Sequence, residues 1–69
     1  MKFNRLPSDG PIDGWIADDG RNRYIVRADD DGYVALWGPL GTAAEPIREV
    51  FRRSADAMEE LRAIARQWN

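Results

Sequence analysis

Two acid-rich steps, each closed by a glycine, constrain this chain more than any other feature. They are Asp18-Asp19-Gly20 and Asp29-Asp30-Asp31-Gly32. Asp and Asn side chains hydrogen-bond their own backbone, and glycine reaches positive φ without steric cost, so such steps are turns. Between them stands "RYIVRA" (23–28), and after the second stands "YVALW" (33–37). Both runs are rich in aromatic and β-branched residues, which favour strands. "GWIA" (14–17) before the first turn completes three short strands joined by two tight turns, a meander.

With the second turn at 29–32, Ala28 faces Tyr33, Val26 faces Ala35 and Tyr24 faces Trp37. Side chains alternate along a strand, so these six share one face. Arg23, Ile25, Arg27, Val34 and Leu36 share the other. One face is aromatic, the other aliphatic with arginines at its edge.

The rest of the chain is read from its breakers and its period. Pro7, Gly10 and Pro11 make residues 1–13 an irregular lead-in. "GPLGTAAEP" (38–46) ends the third strand. Segment 47–53 suits a fourth strand, with Pro46 placing it at the sheet edge. Helical spacing of Ile47, Val50 and Phe51, with a capping-box match at Thr42 and Glu45, argues for a helix instead. From Ser54, a good N-cap, the positions Met58, Leu61, Ile64, Ala65 and Trp68 fall on one helical stripe. Asp56, Glu59 and Glu60 lie near the positive end of that helix and Arg62 and Arg66 near the negative end, which suits its dipole. The expected fold class is α+β: one domain over 1–69, an antiparallel meander of three or four strands with one C-terminal helix on one face.

A helix can cover only one face of such a sheet. If it covers the aromatic face, the aliphatic face and its arginines meet solvent. If it covers the aliphatic face, Tyr24, Tyr33 and Trp37 stand free for a partner, as aromatics do at interface hot spots.

Composition narrows the function. The 69 residues contain no cysteine and no histidine, which removes disulfides and thiolate zinc sites. An EF-hand counted from Asp29 fails, because Tyr33 and Val34 occupy its fifth and sixth positions. No metal site and no cofactor are expected. Without His or Cys, a nucleophile would be Ser8, Ser54, Thr42 or Lys2, none with a base beside it, so an enzyme is not expected. "GPLG" is too short for a phosphate loop. There is no long apolar run and no apolar segment after Met1, so neither a membrane span nor a signal peptide is expected, and a cytoplasmic location is. The net charge of −2 disfavours direct nucleic-acid binding. Arg48, Arg52 and Arg53, with Arg62 and Arg66, would carry it in the alternative reading, an accessory or regulatory domain that binds nucleic acid or dimerises.

A short acidic chain of this kind, with "DDGRNRYIVRADDDGYVALW" ahead of "SADAMEELRAIARQW", resembles the small proteins encoded by phages and mobile elements, the anti-CRISPR class above all. The likeness covers the general build of the whole chain. It implies an inhibitor in a bacterial host cell, monomer or homodimer, that binds a protein partner such as a CRISPR effector subunit and occupies a surface meant for DNA. Asp18, Asp19, Asp29, Asp30 and Asp31 would then meet basic residues of the partner, with Tyr33 and Trp37 as apolar anchors. In a simple meander the two acid turns lie at opposite ends of the sheet.

Overall fold

The computed structural model describes residues 1–6 and 14–67, with the backbone but not the side chain of Arg48. Five strands and one helix follow in order: β1 (Asn4–Arg5), β2 (Gly14–Asp18), β3 (Asn22–Asp29), β4 (Gly32–Pro39), β5 (Glu45–Phe51) and α1 (Ser54–Gln67). The strands form one antiparallel sheet in sequence order, a pure meander. The α+β build is as expected, with a larger strand count than the three or four anticipated. The lead-in supplies the extra strand: Asn4 pairs with Ile16 and Arg5 with Trp15, and the Leu6 N–H donates to the Gly14 carbonyl at 2.8 Å. The remainder of the expected irregular segment, 7–13, lies outside the described residues, as does Trp68 of the expected helix stripe.

The central hairpin has the register its turn chemistry dictates. Tyr24 pairs with Trp37, Val26 with Ala35, Ala28 with Tyr33 and Asp29 with Gly32. Only glycines have positive φ among the described residues, so Asp30-Asp31 cannot form the mirror-image turn common in two-residue hairpins. The positive φ falls on Gly32 instead, the first residue of β4, at 144°. A methyl group there would also run into the Phe51 carbonyl oxygen, so the position requires glycine twice over.

Segment 47–53 resolves as strand for its first part, within β5. Between Val34 and Leu36 on β4 the partners on β5 step from Val50 to Pro46, so β5 bulges at the sheet edge. Proline has no N–H for a ladder, and edges and bulges are where a sheet tolerates it. Thr42 does not cap a helix. Its hydroxyl donates to the Pro39 carbonyl at 2.7 Å and its N–H to the same oxygen at 3.2 Å, closing the β4–β5 loop.

α1 crosses the aromatic face. Ala57, Leu61 and Ala65 are buried against Tyr24, Val26 and Ala35. Small residues on the helix meet large ones on the sheet, which lets the two layers approach. Of the expected stripe, Leu61 and Ala65 lie at its centre and Met58 and Ile64 flank it; Ala57 is the centre position the pattern reading left out. Ser54 is the first helical residue rather than the cap. The cap position belongs to Arg53, whose carbonyl accepts from the N–H of Asp56 (3.2 Å) and of Ala57 (3.3 Å). On the exposed side Glu59 pairs with Arg62 at 3.4 Å and Arg66 at 3.8 Å.

Candidate protein-binding surfaces

Since α1 lies over the aromatic face, Tyr33 and Trp37 do not stand on an uncovered sheet. Both are half-buried and pack against the core. Trp37 lies parallel to Tyr24, with ring centroids 6.3 Å apart and 8° between planes, and Tyr33 meets Trp15 at 6.0 Å. Arg5 lies 5.7 Å from the Trp15 ring and Arg62 5.3 Å from the Phe3 ring, so cations close the side of this aromatic layer near β1.

The two acid turns are at opposite ends of the sheet, separated by the eight residues of β3, about 26 Å at ~3.3 Å per residue. They are also chemically unlike. Asp19 is spent inside the fold. Its Oδ1 accepts from the N–H of Asn22 (2.8 Å) and of Arg21 (3.0 Å), and its Oδ2 accepts from the Tyr24 hydroxyl at 2.8 Å. The Asn22 N–H is the main cause that lowers its pKa from 3.8 to about 2; the Tyr24 hydroxyl and the Arg21 N–H add to this, and partial desolvation opposes it. Tyr24 is fully buried, and that burial, followed by the Asp19 carboxylate, pushes its phenol up. Asp18 is exposed and, among the described residues, accepts the Gly20 N–H alone, at 3.1 Å.

At the other end Asp29, Asp30 and Asp31 are all exposed. Asp29 Oδ1 accepts the Asp30 N–H at 2.8 Å, a bond internal to the turn. The carboxylates of Asp30 and Asp31 have no hydrogen-bond or ion-pair partner among the described residues. Of the five aspartates singled out in the sequence, Asp30 and Asp31 are thus the two whose carboxylates accept no hydrogen bond among the described residues, while Asp18 and Asp29 are exposed as well. No group of three carboxylate, histidine or cysteine side chains stands ready for a metal among the described residues.

Two further surfaces come only from the tertiary arrangement. The face away from α1 carries a cross-strand row, Ile16–Ile25–Leu36–Pro46, and beside it Arg27–Val34–Val50. Ile16, Ile25, Val34 and Leu36 are half-buried, as Tyr33 and Trp37 are, and Val50 is 53% exposed. The second is a cleft of about 570 Å³ at the corner of the sheet that α1 does not reach, lined by Trp37 with Gly38, Pro39 and Thr42 on one side and Glu45, Pro46 and Ile47 on the other. No periodicity announces it, because Glu45 meets Trp37 only through the β4–β5 pairing.

Compared with family models, with curated proteins and with solved structures, the chain matches none of them. No described helix is long and apolar enough to cross a membrane.

Proposed function

We propose that this chain is a non-catalytic binding protein that presents negative charge to a basic protein surface, as an inhibitor of the anti-CRISPR kind does when it occupies a site meant for nucleic acid. The observation that carries this reading is the Asp30-Asp31 hairpin tip, exposed and without internal partners. Carboxylates presented on a two-residue loop add association rate and specificity toward lysines and arginines. Asp19 contributes little, since its own turn and Tyr24 hold its carboxylate, and Asp18 stands at the other end of the sheet from the tip. The test is Asp30→Lys with Asp31→Lys, assayed for binding to CRISPR effector complexes loaded with guide, with and without target DNA. The double variant should melt with the wild type and bind at least about tenfold more weakly. Added salt should weaken wild-type binding in parallel, since screening acts over ~10 Å at 0.1 M. Wild-type affinity in the variant removes the hairpin from recognition.

A second reading has its own observation, the aliphatic row Ile16–Ile25–Leu36 on the face away from α1, with the exposed Val50 beside it. Exposed apolar patches mark interaction sites, and this one suits an accessory domain that dimerises through its sheet. Sedimentation from micromolar to millimolar concentration should then show a dimer that Ile25→Lys abolishes. A monomer throughout removes this reading.

A further inference from the structure

Two Asp-Gly steps have both residues among those described, Asp19-Gly20 and Asp31-Gly32. Such a step carries its own chemistry. The glycine nitrogen, with no Cβ beside it, attacks the side-chain carboxyl carbon of the preceding aspartate when that carboxyl is protonated. The N–Cγ bond forms, the amide hydrogen and the carboxyl hydroxyl leave as water, and a five-membered succinimide results. Water then opens the ring. Attack at Cγ restores aspartate. Attack at the main-chain carbonyl leaves the chain running through the side chain, as isoaspartate. Only water is released and taken up again.

The structure treats the two steps differently. At Asp19-Gly20 both reacting groups are held. The carboxylate accepts from the N–H groups of Asn22 and Arg21 and from the Tyr24 hydroxyl, and the Gly20 N–H donates to Asp18 Oδ1 at 3.1 Å. With its pKa lowered to about 2, chiefly by the Asn22 N–H, Asp19 is also seldom protonated. At Asp31-Gly32 the carboxylate is exposed and accepts no hydrogen bond among the described residues. Gly32 pairs with Asp29 in the last rung of the β3–β4 ladder, and a rung at a hairpin tip opens at little cost. Asp29 and Asp30 are each followed by an aspartate, whose side chain hinders attack by its nitrogen.

We infer that Asp31-Gly32 is a modification site, at which the hairpin tip isomerises through a succinimide to isoaspartate. The product keeps one carboxylate but adds a methylene to the main chain of a two-residue loop. It does so beside Gly32, which has φ 144° and no room for a further atom toward the Phe51 carbonyl oxygen. The modified tip therefore no longer fits the Asp29–Gly32 rung, and its carboxylate moves. The tip is also where recognition is proposed, so the step retires that surface with time. That consequence rests on the proposed reading; the chemistry does not, and it is read without a partner.

The experiment is incubation of the folded protein at 37 °C and pH 6, followed by mass spectrometry of its tryptic peptides with electron-transfer fragmentation, which tells isoaspartate from aspartate. Isoaspartate should accumulate at Asp31 at least about tenfold faster than at Asp19, because the lowered pKa of Asp19 alone cuts its protonated fraction by roughly that factor or more. In concentrated guanidinium chloride, where the turn hydrogen bonds are gone, the two rates should converge. Asp31→Asn should convert faster than the wild type at the same position, with loss of ammonia and the mass change that follows. Equal or faster accumulation at Asp19 in the folded protein overturns the proposal. So does an Asp31 that stays intact in the folded protein while it isomerises in guanidinium, since the rung then holds the nitrogen. An Asp31→Asn variant that converts only when unfolded has the same consequence.

Discussion

Removal of the Asp19 carboxylate tests the claim that this acidic residue holds the fold rather than a partner. In Asp19→Ala three hydrogen bonds are lost at once: two to the backbone of Arg21 and Asn22 and one to the Tyr24 hydroxyl. The two backbone donors sit at an exposed turn, where water replaces the carboxylate, so they contribute little to the loss. The Tyr24 hydroxyl belongs to a side chain with no solvent exposure as a residue, and an orphaned buried donor costs about 1–3 kcal/mol. The sum stays at about 1–3 kcal/mol. A chain of 69 residues has about 3–10 kcal/mol of stability in all. In a domain of this size each kcal/mol moves the melting temperature by about 4–8 °C, so Asp19→Ala should melt about 5–20 °C below wild type at pH 7. Asp18→Ala, which gives up a single exposed bond to the Gly20 N–H, should stay within a few degrees. The pH dependence has a definite sign. The folded-state pKa of Asp19, about 2, lies below its ordinary value of 3.8. Its stabilisation is therefore complete above about pH 4 and is lost as pH falls through 4 toward 2. Wild type should lose more stability across that window than Asp19→Ala. Thermal melts by circular dichroism at pH 7, 4 and 2.5 measure both effects. If Asp19→Ala and Asp18→Ala melt together at pH 7, the reasoning is refuted.

Leu61→Ala empties a fully buried position at the centre of the helix–sheet contact and should cost about 2–5 kcal/mol, read as a lowered urea midpoint with loss of most of the stability. Gly32→Ala meets both a positive φ and the Phe51 carbonyl oxygen; it should destabilise by more than about 1 kcal/mol, whereas Gly20→Ala, at φ 85° with open space around it, should cost less in the same denaturation series. The Asp30, Asp31 double variant and Ile25→Lys should both retain the wild-type fold by circular dichroism, since all three residues lie outside the buried core.

Much of the fold is legible in the chain because its signals are local. An Asp-rich step ending in glycine is a turn wherever it occurs, and two of them around an eight-residue strand fix which residues face each other. That is why the pairs Tyr24–Trp37, Val26–Ala35 and Ala28–Tyr33 follow from the sequence and recur in the sheet. The helix likewise follows from its period and its charges. The contribution of Asp19 to its own turn is local too, since its acceptors' partners are two and three residues away.

The remainder depends on contacts between segments far apart in sequence. β1 is two residues long and pairs across the prolines and glycine of the lead-in, too short a run to show alternation. Periodicity says that the helix has a buried stripe and that the sheet has two faces, but it does not say which face the stripe meets. Packing decides that: Ala57 and Ala65 on either side of Leu61 leave room for Tyr24 and its neighbours. The same choice leaves Ile16, Ile25 and Leu36 on the face away from the helix, and the bulge that Pro46 accompanies sets Glu45 across from Trp37. Turns and period were written in the chain because each depends on a few neighbouring residues. The covered face, the open row and the cleft belonged to the tertiary structure, because each is a difference between alternative packings of the same local elements.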